Sequence, residues 1–395
     1  MRVDTLIRTT VAAAVCLAAL ACSGGGGDDT AGPGDEAAGA AGTTAPAGDT
    51  VFPGDSWQRA DPAEMGFDPA GLEELATLAQ QAGSNCLVVA RQGRLVGEWY
   101  WNGTDAATTQ EVFSATKSYA STLVGIAQEE GLLDIDDPAS RYIEAWAGTP
   151  SAEVTIANLL RNDSGRQHDP AVDYRQLPVS QDMDSLAVGL GQAAPPGTTW
   201  AYNNAAIQTL DAVLRTATGV PTADYAEDKL LGPIGMRDSE LTTDAAGNTR
   251  LFMGLRSSCE DMARFGHLFL ERGRWDDTQV VPEAWVEEAT GGPSQDLNQA
   301  YGYLWWLNHR GTVLSPLGAT TGDQGGGGAE TQLVPGAPED MYFAVGLGSQ
   351  IIAIDPTSET VVVRLGPIAG PPGAPAFDTA AAARVVTEAF AGDAG

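Results

Sequence analysis

The chain has 395 residues, a formal net charge of −31 at pH 7 and a hydrophobic content of 43%. This apolar content can fill a core, which excludes an intrinsically disordered protein. The acidic balance excludes a nucleic-acid partner, because contacts with phosphate groups need a basic surface.

The first 22 residues have the features of an export signal. Arg2 and Arg8 precede an apolar stretch that ends in Ala-Leu-Ala-Cys at residues 19–22. The Gly/Ala-rich segment that follows has too little apolar surface to fold, so we expect a flexible linker over residues 23–58. The arrangement resembles a bacterial lipoprotein, which implies that a lipid on Cys22 anchors the protein to the membrane of the cell envelope. Simple cleavage and secretion is the alternative.

We expect residues 59–395 to form one folded domain of the α/β (α+β) class. Strand-like runs occur at about residues 59–115 and 300–395, with a mostly helical region of about residues 116–299 between them. This order predicts an antiparallel sheet flanked by terminal helices, with a helical region inserted. The predicted strands are Cys86–Ala90, Arg94–Trp101, Gly302–Leu307, Met341–Val345, Ile351–Ile354 and Thr360–Arg364. The predicted helices include Ser114–Glu130, Ile156–Leu160, Ala205–Ala217, Ala223–Leu231, Glu260–Glu271, Pro282–Ala289 and Asp378–Ala391.

Two cysteines, Cys86 and Cys259, remain in the expected folded domain. Export would take them into an oxidising compartment, where a disulfide between them could form. Two small buried thiols are the alternative, because free cysteine is common in protein cores.

Lysine is rare in this chain, which has Lys117 and Lys229 beside nineteen arginines. A desolvated lysine can lose its proton and act as a general base, whereas arginine cannot. Lys117 follows Ser114 by three residues at a predicted helix start, so the two side chains share one face and the amine can reach the hydroxyl. The amides of a helix start also favour a developing oxyanion. Ser114 is therefore the candidate nucleophile and Lys117 its candidate base.

A second candidate element is Tyr202-Asn203-Asn204, which follows Pro-Pro-Gly at residues 195–197 and precedes a predicted helix. At such a junction a phenol and an amide can lie over one site. The phenol then moves a proton, and the amide holds a substrate carbonyl or the lysine. A turn followed by an ordinary helix cap is the alternative interpretation.

Together these motifs resemble the serine β-lactamase and penicillin-binding-protein superfamily, and more closely its esterase and 6-aminohexanoate-dimer (nylon oligomer) hydrolase branch. The resemblance extends over about residues 61–392 and implies a β-lactamase/transpeptidase-like fold. The segments that carry it are Phe113-Ser114-Ala115-Thr116-Lys117-Ser118, Leu159-Leu160, Ser164-Gly165, Pro195-Pro196-Gly197, Tyr202-Asn203-Asn204, Pro233-Ile234-Gly235-Met236, Asp261-Met262-Ala263-Arg264-Phe265-Gly266, Tyr301-Gly302-Tyr303-Leu304-Trp305-Trp306, Gly346-Leu347-Gly348-Ser349-Gln350 and Asp355-Pro356.

The resemblance implies a serine hydrolase that works through an acyl-enzyme on Ser114 and needs no cofactor. It implies that Lys117 and Tyr202 move the serine proton. It also implies that the backbone amides of Ser114 and Gln350 form the oxyanion hole.

Further residues of the substrate site also follow from the resemblance. It implies that Asn204 supports the site and that Tyr174, with Trp305 or Trp306, lines the acyl pocket. Many relatives carry Lys-Thr-Gly or His-Thr-Gly on the strand beside the serine, where the basic residue helps to hold a carboxylate. This chain has Leu347 at that position, which favours carboxylic esters or small linear amides as substrates.

The same sequence also bears on other function classes. A β-lactamase or a D,D-peptidase-type penicillin-binding protein is the alternative enzyme, and a non-catalytic envelope binding protein on the same fold is the alternative from another class. A Ser-His-Asp hydrolase is disfavoured, because none of His168, His267 and His309 accompanies a Gly-x-Ser-x-Gly elbow. The sequence has no CxxC, HExxH or phosphate-loop motif, so we expect no metal and no nucleotide.

Overall fold

The computed structural model describes residues 50–316 and 331–392. The expected signal peptide, its lipidation site Cys22 and residues 23–49 of the expected linker lie outside the described residues. The strands are Gln58–Arg59 (β1), Cys86–Arg91 (β2), Arg94–Tyr100 (β3), Gln110–Glu111 (β4), Glu240–Leu241 (β5), Leu255–Ser257 (β6), Arg274–Trp275 (β7), Thr278–Gln279 (β8), Trp306–Leu307 (β9), Tyr342–Gly346 (β10), Gln350–Asp355 (β11) and Thr360–Leu365 (β12). The α-helices are Pro69–Gln81 (α1), Thr116–Glu129 (α2), Ile156–Arg161 (α3), Met183–Gly189 (α4), Asn204–Thr218 (α5), Thr222–Ala226 (α6), Cys259–Leu270 (α7), Glu283–Thr290 (α8) and Thr379–Arg384 (α9).

The main sheet has seven strands in the order β1-β3-β2-β12-β11-β10-β9. All its pairings are antiparallel except the short pairing of β1 with β3. The N-terminal and C-terminal strands meet where β2 pairs with β12, with Val88 opposite Val363. The fold is therefore the expected antiparallel sheet built from both ends of the domain, with a mostly helical region inserted between them.

Helices cover both faces of the central strands. Every residue of β2, β11 and β12 is buried, although successive side chains of a strand point to opposite faces. Helix α7 packs against all three of these strands, α1 against β2, and α9 against β11 and β12. The central strands thus form the core of the domain, and the helical region extends from it.

Local sequence explains the turns and caps that position these elements. Gln92 and Gly93 have φ angles of 50° and 76°, the left-handed conformation of a tight hairpin turn between β2 and β3. Asn203 begins α5, because its side chain accepts a hydrogen bond from the backbone N–H of Ala206. Gly219 ends the same helix with a φ of 75°.

A disulfide joins the sheet to helix α7. Cys86 lies in β2 and Cys259 is the first residue of α7, and their Cα atoms are 6.5 Å apart across 173 positions of sequence. The bond thus links β2 to α7, a helix that also packs against β2.

Two expectations from the sequence are corrected by the structure. The expected linker does not extend to residue 58, because Trp57 is buried and Arg264 of α7 donates hydrogen bonds to the carbonyls of Pro53 and Gly54 at 3.1 and 2.8 Å. The strand expected at Gly302–Leu307 is reduced to its last two residues, since Leu304 has a φ of 61°, which no extended strand permits.

Within the part of the chain that the structure describes, no helix has both the length and the apolar character needed to cross a bilayer.

Candidate active site

Ser114 lies in a tight turn, Phe113–Ala115, that leads directly into α2. The segment is tied to β6 by two hydrogen bonds, from the N–H of Val112 to the carbonyl of Leu255 at 3.0 Å and from the N–H of Leu255 to the hydroxyl of Thr116 at 3.0 Å. Phe113 has a φ of 49°, a conformation that costs energy for a residue with a bulky side chain. The fold therefore holds the serine in a strained, fixed turn.

Lys117 contacts the serine from the first turn of α2. Its Nζ lies 2.8 Å from the Oγ of Ser114 and donates a second hydrogen bond of 2.8 Å to the carbonyl of Phe252. The side chain is 1% exposed, and this burial lowers the pKa of Lys117 to about 7. A neutral amine that donates to Phe252 has its lone pair free for the proton of Ser114.

Asp173 is a buried acid near the lysine that the sequence analysis did not identify. Its carboxylate raises the pKa of Lys117 and so opposes the effect of burial. It accepts a hydrogen bond of 2.7 Å from the backbone N–H of Asn204 and lies 3.6 Å from Nε2 of His168. Burial raises the pKa of Asp173 to about 6. No sequence motif marks this residue, because only the fold brings it to the start of α5.

Tyr202 completes the group around Ser114. Ser114 lies close enough to the phenol of Tyr202 to lower its pKa, and the Nζ of Lys117 lies 4.8 Å from the centroid of its ring. The ring stacks on Trp306 at a centroid distance of 5.7 Å. Burial raises the pKa of Tyr202 well above its usual value, so the phenol keeps its proton at neutral pH.

Three other candidate residues lie at or near this group. Tyr174 belongs to the π-helical turn Val172–Gln176, is 45% exposed and lies close enough to Tyr202 to raise its pKa. Asn204 is buried, and its side-chain oxygen has no hydrogen-bond partner among the described residues. Leu347 is 59% exposed at the end of β10.

The two tryptophans have different environments. Trp306 contacts Tyr202, whereas Trp305 is fully buried and packs against Phe265 and Phe269 of α7 at 5.8 and 4.5 Å between ring centroids. Successive residues of an extended chain point to opposite sides, so only one of the two can face the site. Trp305 is therefore a core residue, and of the two tryptophans only Trp306 stays a candidate for the acyl pocket.

The end of strand β10 lies against the nucleophile turn. A Cβ atom on Gly346 would lie 2.0 Å from the carbonyl oxygen of Val112 and 3.2 Å from the backbone nitrogen of Ala115, so only glycine permits this approach. The next residue, Leu347, is exposed. Its N–H belongs to the strand end that lies against the nucleophile turn.

Gln350 does not fit its expected role as an oxyanion donor. The residue is 0% exposed, so its backbone N–H is closed to a substrate oxygen. Its side-chain Nε2 donates instead to the carbonyls of Gly366 and Leu347 at 2.8 and 3.0 Å. Leu347 is the more exposed residue of this turn, so its backbone N–H is the alternative candidate for the donor.

Comparisons with known proteins identify the family of the domain. The family model described as Beta-lactamase matches residues 73–387. The 6-aminohexanoate-dimer hydrolase of Paenarthrobacter ureafaciens is 24% identical over 338 residues, which cover 80% of this chain and 82% of that protein.

Two solved structures have the same fold. A Bacillus anthracis protein provisionally named 6-aminohexanoate-dimer hydrolase has a TM-score of 0.62 and 22% identity, with 82% of this chain and 83% of that chain covered. The octameric penicillin-binding protein homologue of Pyrococcus abyssi has a TM-score of 0.57 and 18% identity, with 80% and 76% covered. Because the family model spans most of the folded domain and includes both Ser114 and Lys117, the chain belongs to the Beta-lactamase family of serine hydrolases.

Proposed function

We propose that this protein hydrolyses uncharged carboxylic esters or small linear amides through an acyl-enzyme on Ser114. The observation that carries the proposal is the 2.8 Å contact between Ser114 Oγ and the Nζ of Lys117, a buried lysine with a pKa of about 7. Such an amine is neutral in a large fraction of molecules at neutral pH and can activate the hydroxyl.

In the acylation step, the Oγ of Ser114 attacks the substrate carbonyl carbon while its proton passes to Lys117. The carbonyl oxygen becomes an oxyanion, which the backbone N–H groups of Ser114 and Leu347 would stabilise. The phenol of Tyr202 then donates its proton to the departing alcohol or amine and regains one from Lys117.

Deacylation reverses this proton path. A water molecule attacks the ester carbon of the acyl-enzyme and gives its proton to the Lys117–Tyr202 pair. The bond to Ser114 Oγ breaks, the serine recovers the proton, and the carboxylic acid leaves.

The exposed side chains around the site support an uncharged substrate. Leu347 and Ile368 are 59% and 57% exposed, and Gly348 brings them together because a Cβ on it would lie 2.6 Å from the Cα of Ile368. Tyr174, which is also exposed, lies close to Tyr202. The similarity to a hydrolase named for a small linear amide, the 6-aminohexanoate dimer, supports a small linear amide as substrate, although that dimer is charged at both ends.

The disulfide supports a location outside the cytosol. A bond between Cys86 and Cys259 persists in oxidising compartments, whereas cytosolic thiols are kept reduced. We propose that the enzyme is exported and that the lipid expected on Cys22 holds it at the cell envelope.

Acyl transfer can be tested with a panel of p-nitrophenyl acetate, p-nitrophenyl butyrate, a linear anilide, benzylpenicillin and nitrocefin. We expect intact-mass spectrometry to show an acyl adduct on Ser114 with the esters or the anilide, and slow or absent nitrocefin turnover. Ser114→Ala is the control and should form no adduct. Rapid penicillin hydrolysis without esterase or amidase activity would instead assign a β-lactamase, and an adduct on another serine would assign another site.

A further inference from the structure

We infer that Arg364, which does not touch the substrate, is a positioning residue for acylation. It holds the turn Leu347–Ser349 in place and stabilises the oxyanion beside Ser114 through its charge. This inference rests on the proposed function. It adds a source of positive charge near the oxyanion, where the strand beside Ser114 ends in the uncharged Leu347.

Arg364 is a buried cation with neutral partners. It lies in β12 and is 3% exposed. Its Nη1 donates to the carbonyls of Gly348 and Ser349, the latter at 3.0 Å, and its Nε donates to the hydroxyl of Ser84 at 2.8 Å. Within residues 50–316 and 331–392, no carboxylate forms an ion pair with this guanidinium. Burial lowers the pKa of Arg364 to about 10, so it is still charged at pH 7.

The turn that Arg364 holds depends on these hydrogen bonds. Gly348 and Ser349 have φ angles of 78° and 58°, so both residues adopt the left-handed conformation. Gln350 holds the same turn by donating to the carbonyl of Leu347 at 3.0 Å. The carbonyls of Leu347, Gly348 and Ser349 are thus all bound from the buried side by two side chains, which fixes the position of the whole turn.

The position of this turn decides the geometry of the oxyanion site. Gly346, directly before the turn, packs on the backbone of Val112 and Ala115, on either side of the nucleophile. A shift of the turn would therefore move the N–H of Leu347 relative to Ser114. Donors that are fixed before the reaction cost no reorganisation when the oxyanion forms.

The charge of Arg364 acts in the same direction. A buried charge without a counter-ion is costly for stability, so a neutral donor such as glutamine would cost less if the turn needed only hydrogen bonds to its carbonyls. In a site with little water, a positive charge favours the negative charge that develops on the substrate oxygen more strongly than it would in water. The field of Arg364 therefore stabilises the transition state of acylation, which carries this negative charge, and has little effect on the uncharged ground-state ester.

Arg91 offers a matched control on the neighbouring strand. It is also 3% exposed, and it donates to the carbonyls of Ser358 and Met65, both at 2.9 Å. In the pairing of β2 with β12, Arg91 lies opposite Thr360 and Arg364 lies opposite Leu87, so the two arginines are near opposite ends of the pair. Removing Arg91 loses a buried guanidinium without touching the turn.

The test uses the full chain with Arg364→Gln, Arg364→Lys and Arg91→Gln. Two quantities are measured: the acylation rate with p-nitrophenyl butyrate and the affinity for phenylboronic acid, whose adduct with serine is a tetrahedral anion. We expect Arg364→Gln to lower both by about tenfold to hundredfold, the scale of weakening one oxyanion contact, with KM changed much less. Arg364→Lys should recover part of both, and Arg91→Gln should leave both near wild type while it lowers the melting temperature.

The outcomes separate this inference from the proposed function. If the wild type is acylated and Arg364→Gln matches it, or if Arg91→Gln loses as much activity as Arg364→Gln, the inference is wrong and the proposed function stands. If p-nitrophenyl butyrate, the anilide and phenylboronic acid all fail to react with Ser114 of the wild type, the proposed function itself is wrong. Should Arg364→Gln fail to fold, Arg364→Lys decides alone: unchanged boronate affinity overturns the inference, and a clear loss supports it.

Discussion

The Nζ of Lys117 lies 2.8 Å from the Oγ of Ser114, in a position where the lysine is 1% exposed. Burial disfavours the charged ammonium, so the same packing that places the amine beside the serine also makes it a base. One feature of the fold thus supplies both the geometry and the protonation state that acyl transfer needs.

Lys117→Arg is expected to lower the acylation rate by roughly a thousandfold or more, because a guanidinium cannot accept the serine proton. Acylation by p-nitrophenyl butyrate in a stopped-flow instrument measures the loss, and circular dichroism checks the fold. Lys229→Arg is the matched control, since Lys229 is partly exposed and pairs with Glu130 at 2.8 Å. Acylation of the Lys117→Arg protein at the wild-type rate would contradict the role of the lysine as base.

The acylation rate should rise with pH through a midpoint near 7. Burial lowers the pKa of Lys117 to about 7, so the reactive neutral amine dominates above this pH and disappears below it. Asp173 raises the pKa of the lysine, and Asp173→Asn should therefore move the midpoint to lower pH. Rates measured between pH 5 and pH 10 check both statements. A midpoint near 10, the value of an exposed lysine, would show that the amine is not desolvated.

Tyr202→Phe is expected to lower turnover by about a hundredfold, the usual scale for one acid–base group, because the variant cannot protonate the leaving group. The effect should be larger for a linear anilide than for a p-nitrophenyl ester, whose leaving group needs no proton. Tyr119→Phe on helix α2 is the matched control, since the hydroxyl of Tyr119 is buried without a hydrogen-bond partner among the described residues. Equal turnover of both variants and wild type would exclude Tyr202 from proton transfer.

Replacing both Cys86 and Cys259 by alanine should lower the free energy of unfolding by about 5 kcal/mol, because the bond closes a loop of 173 positions. Urea unfolding of the oxidised, reduced and doubly substituted proteins measures this difference. The acylation rate of the folded variant should stay near wild type, since neither cysteine contacts Ser114. Two free thiols in the exported, non-reduced protein would contradict the bond.

Cys22→Ala should release the protein from the membrane fraction, because the expected lipid would then have no attachment site. Fractionation of cells that express the wild type and the variant measures the change. Mass spectrometry of the wild-type N-terminus from purified membranes gives the direct result. An unmodified N-terminus that begins at another residue would favour simple cleavage and secretion.

Short-range features of the chain could be predicted from the sequence. The contact of Ser114 with Lys117 spans three residues of one helix start, and the hairpin at Gln92 and Gly93 follows from a two-residue turn, so each depends on local geometry alone. The antiparallel sheet followed from the order of strand-like and helical segments. Helix α1, Pro69–Gln81, was not assigned in advance, although Asp68 caps its first turn and a proline begins it.

The tertiary structure alone decided which distant groups complete the site. The carbonyl of Phe252 lies 135 positions from Lys117, and Ser84 lies 280 positions from Arg364. Sequence pattern carries no information about such pairs, because they depend on how the helical region packs on the sheet. The same reason explains why the burial of Trp305 and Gln350 could not be predicted. Tertiary packing decides which side of a strand is buried, and the order of residues along the chain does not determine it.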